Sequence, residues 1–285
     1  MSFSQDHDLQ MLEDVADSAA NGAESGPSGT LLRGLRIIEA LAEAPTPLSL
    51  AELAERVRLD NSTVHRLVQL LSEHGYAVRR GSSKRYCAGP MTVSLLSTYH
   101  PINNFRRETD EILRRVREET GETILLVLFL GSQRIILNLV QGRESLATSY
   151  QTWLRSPVHG SASGKVMLMY LPDKAANDLL GAEPYASVTP FTITDAKTLS
   201  EYLNAARKRG FVVARDDTLV GMTAIAAPIL WKSRAIGCLT VAGDSNRLAD
   251  GTAEAVGAAL SKASGLMSNV VPSLRSVAHF VGQDF

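Results

Sequence analysis

The sequence predicts an α+β chain of two folded domains, and three observations carry that expectation. Its 285 residues exceed what one small core needs, and a hydrophobic content of 45% suffices to fill two. Residues 30–74 hold three closely spaced runs of helical apolar periodicity, after which the pattern changes to short extended runs. Beyond residue 121, strand-like segments come first and helical segments later, the segregated order of α+β folds.

Residues 1–28 carry six acids (Asp6, Asp8, Glu13, Asp14, Asp17, Glu24) and no Lys or Arg, which predicts a disordered acidic tail. Setting it aside leaves 24 acidic against 29 basic residues, so a chain of net charge −1 has a mildly basic body. Leu31, Leu32, Leu35, Ile38 and Leu41 mark a helix over 30–44, stopped ahead of Pro45 and Pro47. Ser49 and Glu52 have capping-box spacing, and Leu50, Leu53, Ala54 and Val57 form the stripe of a short second helix. Arg58, Leu59 and Asp60 make a tight connection. Asn61, Ser62 and Thr63 are then expected to cap a third helix with the stripe Val64, Leu67, Val68 and Leu71. Residues 76–80 and 85–88 read as a hairpin around Gly81-Ser82-Ser83-Lys84.

An apolar segment over 91–96 leads past Pro101 to a helix over 105–120 closed by Gly121, whose dense charges predict a solvated face. Strands are expected over 123–130 and 134–140, helices over about 161–171 and 195–209, paired strands over 223–231 and 235–242, and a closing helix over 252–271. The domain limits are therefore a tail to 28, a first domain over 29–91, a linker helix over 92–119, a second domain over 120–275 and a C-terminal tail over 276–285. The longest apolar run, from Ile124 to Leu130, is far short of the roughly 20 residues that cross a bilayer. No basic segment followed by an apolar one opens the chain, so a cytoplasmic location without membrane contact is expected. Cys87 and Cys238 lack partners at metal-ligand spacing, and neither a metal nor another cofactor is expected.

A short capped helix, a three-residue turn and a second capped helix match the helix-turn-helix plan, whose second helix lies in the DNA major groove. Opposite its apolar stripe that helix carries Ser62, Thr63, Arg66 and Gln69 with His65 beside them, residue types that reach guanine, adenine or phosphate. Its first amides are expected to face outward toward a phosphate. The hairpin adds Arg79, Arg80, Lys84 and Arg85 as a wing against the DNA backbone. The candidate DNA contacts are Ser49, Asn61, Ser62, Thr63, His65, Arg66, Gln69, Lys84 and Arg85.

The segment SLAELAERVRLDNSTVHRLVQLLSEHGYAVR with its wing and the following Tyr86-x-x-Gly89-Pro90 resembles the isocitrate lyase regulator (IclR) family of bacterial transcription factors. HGSASGKVMLMYLP at 159–172 is similar to the family's His-x-x-x-x-Gly-Lys segment, and RGFVVARDDTLVGMTAIAAPI at 209–229 to its effector-domain signature. Over residues 30 to about 275 the resemblance implies a winged helix-turn-helix domain, a linker helix and a GAF-like effector-binding domain. It also implies homodimers or homotetramers on a near-palindromic double-stranded operator. Carried over position by position, it places a small-molecule effector against Ala162 and Ser163 at a helix start and against Met222, Thr223, Ala224, Thr240 and Ala242 on strands, with Thr148 nearby. Thr223-Ala224 stands where the family commonly has Arg-Cys, and Ala214 where an acid is common, so the implied site is less polar than the family pattern. The corresponding expectation is an organic acid with an apolar or aromatic part. A helix start can hold its carboxylate with no Arg or Lys beside it, and Thr223 and Thr240 are expected to orient a hydroxyl.

Catalytic readings of the same segments fail on spacing. Gly160 is one residue too close to Gly164-Lys165 for a phosphate-binding loop, and Ala162 occupies the centre of Gly-x-x-x-Gly where a nucleophile elbow needs Ser. No catalytic residue is expected. His159 reads as structural, Lys165 as a surface or interface residue and Asp216-Asp217 as a capped or solvated turn. Two other readings stay open: an enzyme fused to a DNA-binding domain, and a DNA-binding protein whose second domain only oligomerises.

Overall fold

The computed structural model describes residues 27–44, 46–81, 83–94, 100–143 and 156–281. The expected tail up to residue 26 and Thr148 lie outside the described residues. The described residues fall into two compact units, 27–94 and 100–281.

The first unit contains α1 (Pro27–Glu43), β1 (Leu48–Ser49), α2 (Leu50–Val57), α3 (Asn61–Glu73), β2 (Ala77–Arg79), β3 (Arg85–Ala88) and α4 (Met91–Ser94). Helix α1 begins at Pro27, inside the stretch expected as tail, because Pro suits a first helical turn, where its missing N–H costs nothing. The three helices meet through Ile37, Leu41, Leu53, Val57, Val64, Leu67 and Val68, with Ala77 of the hairpin closing the core. Each fully buried aliphatic side chain of this kind contributes about 1.5–3 kcal/mol. Leu31, Leu32 and Leu35 of the expected α1 stripe are exposed instead. The strands pair in the order β1-β3-β2, so the hairpin is joined to the chain just ahead of α2.

The second unit starts with α5 (Pro101–Thr120), followed by β4 (Thr123–Leu130), β5 (Gln133–Val140), α6 (Ala162–Tyr170), α7 (Asp173–Leu180), α8 (Ala196–Arg209), β6 (Val212–Arg215), β7 (Met222–Trp231), β8 (Arg234–Asp244), α9 (Asp250–Val270) and α10 (Leu274–Phe280). Its sheet is antiparallel, in the order β5-β4-β8-β7-β6. Ile124, Leu126, Leu128, Ile225 and Val241 on one face pack against α5, α9 and α10. Leu125, Val127, Cys238 and Ala242 on the other pack against Val166 and Met167 of α6 and Ala206 of α8. With both faces covered, β4 reads as an unbroken apolar run instead of an alternating one.

Three expectations change here. Helix α5 starts at Pro101 and buries Phe105, Thr109, Leu113 and Val116 against the sheet, so only its outer side matches the expected solvated linker helix. Residues 276–280, expected as tail, belong to α10, and Val277 and Ala278 are buried in the core. The short elements α7 and β6 were not anticipated; β6 pairs with β7 from Val212↔Ala226 to Arg215↔Thr223.

Candidate functional site

In the first unit the α2–α3 arrangement is built from local capping. Ser49 Oγ accepts from the Glu52 amide at 3.2 Å, and the Ser49 amide donates to Glu52 Oε2 at 2.6 Å, completing the capping box. Arg58 closes α2 in the left-handed conformation, with φ of 52°. The cap of α3 is Asp60, where Asn61, Ser62 and Thr63 had been expected: its carboxylate accepts from the Thr63 amide at 2.9 Å and from the Ser62 hydroxyl. Asn61 is instead the first helical residue. These hydrogen bonds hold the Asp60 carboxyl below its usual range. They also fill the Thr63 amide with an internal anion, against the expectation that it faces a phosphate.

Val64, Leu67 and Val68 turn inward, while Asn61, Ser62, His65, Arg66 and Gln69 are exposed and Thr63 is half-buried. Gln69 donates to Glu73 at 3.3 Å along the same face. On the wing Arg79, Arg80 and Lys84 are exposed. Arg85 differs from them, because it forks onto Glu52 with contacts of 2.6 and 2.9 Å and is half neutralised at the wing's root. Ser49, its register partner on β1, is occupied by the capping box. Arg85 and Ser49 therefore position the wing against α2.

In the second unit a small cavity of about 40 Å³ lies between the start of α6 and the sheet. Ala162, Ser163, Met222, Ala224, Thr240 and Ala242 line it as expected, joined by Ser161, Thr218, Leu125 and Val127. Thr223 does not. Strand alternation sends it to the opposite face, where its hydroxyl lies 2.9 Å from Ser245 Oγ. The α6 start is shaped by Ser161, whose Oγ accepts from the Gly164 amide at 3.3 Å. Gly164 is required because a side-chain carbon there would stand 2.2 Å from the Val158 carbonyl oxygen.

Arg134 of β5 reaches the same place, so the expectation of a helix start with no Arg nearby is corrected. Its guanidinium donates to Ser161 Oγ, to Ser163 Oγ at 3.3 Å and to the Ser156 carbonyl. Burial lowers its pKa to about 10, which still leaves it charged at neutral pH.

The chain matches the model of the IclR helix-turn-helix domain over residues 30–81 and that of the bacterial transcriptional regulator IclR C-terminal domain over residues 99–269. It belongs to the IclR family of transcriptional regulators. This IclR-family chain is 28% identical over 249 residues to the acetate operon repressor of Salmonella typhimurium, covering 86% of the chain and 91% of that protein. It is 30% identical to the probable transcriptional regulator SauR of Cupriavidus necator, covering 74% and 83%. The fold is shared with the crystal structure of an IclR homolog from Microbacterium hydrocarbonoxydans complexed with 4-hydroxybenzoate, at a TM-score of 0.69 and 23% identity, covering 87% of this chain and 99% of that one. A DNA-binding helix-turn-helix regulator is thus the family role of the chain, and no helix among the described residues is long and apolar enough to cross a membrane.

Two acidic and basic positions of this IclR-family chain depart from their sequence reading. Lys165 is fully buried and pairs with Asp217, its Nζ also lying 4.8 Å from the Tyr202 ring centre. A surface role is excluded because α6 is enclosed on every side from Ala162 to Met169. Asp217 is buried too, and its carbonyl accepts from Thr192 Oγ1 at 2.7 Å. Burial pushes the Asp217 carboxyl up and the Lys165 ammonium down, and their mutual attraction opposes both. Asp216, with φ of 59°, accepts from the Gly221 amide at 2.7 Å and from Ser245 at 2.8 Å. The 216–221 loop is thereby pinned, and it holds Thr218 in the cavity wall. Buried His159 contacts the Ala186 carbonyl through Nε2 at 2.8 Å, a structural arrangement.

Proposed function

We propose that this regulator's operator binding is controlled by a small organic acid with an apolar or aromatic part, held carboxylate-first at the α6 start. The carrying observation is the composition of one cavity: Ser161, Ala162 and Ser163 on one side, Leu125, Val127, Met222, Ala224 and Ala242 on the other. The first amides of a helix have no partner within it and favour an anion. The opposite wall offers methyl and thioether surface, and the small side chains of Ala224 and Ala242 are where that wall widens to take a ring. Thr240, whose Oγ1 lies 3.4 Å from Cys238 Sγ, orients a polar substituent, with Thr218 as a second hydroxyl in the wall. An aromatic acid, 4-hydroxybenzoate, is named for the Microbacterium homolog of the same fold, which supports the class proposed here.

On the DNA side, Arg66 and Gln69 read bases, with Asn61, Ser62, Thr63 and His65 beside them, and Arg79, Arg80 and Lys84 meet phosphates. One winged unit covers little DNA, so the working form is a homodimer or homotetramer on a near-palindromic operator. The chain acts in the cytoplasm, where its DNA is, and carries out no catalytic step. Repression is the sense of control, as in the name of the Salmonella relative.

The test is a thermal-shift screen of the full chain with organic acids, followed by footprinting with and without the hits. A ligand at about 100 times its Kd stabilises by about 2.7 kcal/mol. Stabilisation by ring-bearing acids, together with a two-half-site footprint that the same acids alter, is the expected result. Absence of any stabilising acid overturns the sensing role, and a full-affinity monomer on a single half-site overturns the assembly.

A further inference from the structure

We propose that Arg134 selects the ligand's headgroup: acting through Ser161 and Ser163, it turns the α6 end of the cavity into a site for an acceptor-only anion, a carboxylate. The inference rests on the reading of the cavity as an effector site and deepens it.

A serine hydroxyl has one proton to donate and two lone pairs with which to accept. Ser161 Oγ already accepts twice, from the Gly164 amide and from the Arg134 guanidinium. Its own proton must therefore be donated, and among the described residues the acceptor in reach, the Pro157 carbonyl, is at 3.4 Å, the far limit of a hydrogen bond. Ser163 Oγ likewise accepts from Arg134. A guanidinium has no lone pair to offer, so it cannot take the Ser163 proton back. Both serines are more than nine-tenths buried and both line the cavity, which leaves the cavity as the direction for these protons.

The result is a wall of donors. Two hydroxyls oriented as donors stand beside the Ala162 and Ser163 amides, with one fixed positive charge behind them. A carboxylate satisfies such a wall with acceptors alone, whereas a carboxamide brings two N–H donors, for which the second lone pair of Ser163 Oγ is the acceptor left at this end. Arg134 is a positioning residue in this scheme: it touches the serines, and the serines touch the ligand. The apolar wall of Leu125, Val127, Met222 and Ala224 is the same for acid and amide, so it cancels from the comparison.

The experiment is calorimetric titration of the full-length chain with benzoate and with benzamide, in wild type and in Arg134→Met, Arg134→Lys and Ser163→Ala. Wild type is expected to prefer benzoate by about tenfold or more, the size of one charge-assisted hydrogen bond. Arg134→Met is expected to lose most of that preference with little change in benzamide affinity, Arg134→Lys to keep part of it, and Ser163→Ala to lose part without loss of fold. A purely structural role for Arg134 would weaken both probes alike and leave their ratio unchanged, and that result overturns the proposal alone. Should Arg134→Met fail to fold, the ratio in Arg134→Lys and Ser163→Ala decides, and wild-type preference in both overturns it. Wild type that binds neither probe overturns the effector reading of the cavity and this proposal with it.

Discussion

Two helix starts in this protein share one capping pattern, an extended cap residue whose side chain accepts from the amide three positions on, and are finished in opposite ways. Helix α3 is capped by the charged carboxylate of Asp60, which fills the Thr63 amide and closes the end with an internal anion. Helix α6 is capped by the neutral hydroxyl of Ser161, with the cationic Arg134 behind it and a cavity in front. The difference teaches that the charge of the cap, more than the helix dipole, decides whether a helix start is closed by its own anion or left beside an open cavity. It also separates the units: the first exposes its charges on α3 and the wing, and the second buries them around α6.

The largest expected effect is at the buried pair. Lys165→Met leaves Asp217 as an unpaired buried charge and should cost about 3–5 kcal/mol in urea unfolding, with much of it recovered by adding Asp217→Leu. The Asp217 carboxyl is raised in the folded state by burial, so its protonation favours folding. The deficit should shrink as the pH falls through the folded pKa. A cost below about 1 kcal/mol would mean that the interior does not treat charge differently from the surface.

Exchanging the caps comes next. Ser161→Asp should fold normally, since Asp caps helices as well as Ser, and should lose carboxylate binding by more than about tenfold because its own anion occupies Arg134 and the amides. Undiminished benzoate affinity in that variant would break the comparison between the two helix starts. Smaller effects belong to the DNA face. Arg66→Ala should cost about 1–3 kcal/mol on the operator and little on random DNA, whereas Lys84→Ala should weaken all sequences alike and lower the salt slope by about one unit. Equal losses on both DNAs for both variants would remove the assigned distinction. Least conspicuous is the Asp60 cap: its carboxyl is depressed in the folded state, so its stabilisation is complete above the unfolded carboxyl value and fades only as pH falls through the depressed one. Circular dichroism of α3 should register no loss of this cap between pH 5 and 8.

What the sequence revealed follows from the range of the interactions involved. The trihelical unit was legible because its capping box, its αL turn at Arg58 and its apolar stripes are set by residues within four positions of one another. Strand β1 was not, having two residues and a partner, β3, that lies far along the chain. The sheet order was hidden for the same reason, since β4 pairs with β8 across more than a hundred residues, and this pairing brings Leu125 and Val127 to the cavity. Thr223 was misassigned although strand alternation excludes it once Met222 and Ala224 face the cavity. Lys165 was misread because a charged side chain on a helix is usually solvated, yet the surrounding ASGKVMLMY has no polar face to turn outward. Arg134 left no local signal: it follows a hairpin turn, and its partners lie 22 to 29 residues away.

The measurement closest to the central claim is titration of the operator complex with acids from glyoxylate to 4-hydroxybenzoate, comparing wild type with Ala224→Leu. Enlarging Ala224 fills the space assigned to the ring while leaving α3 and the wing untouched. Ring-bearing acids should change the operator affinity of wild type and not that of Ala224→Leu, whose affinity without ligand should equal wild type. Equal responses in both proteins would contradict the placement of the effector in this cavity, and a wild-type response to glyoxylate alone would contradict its apolar character.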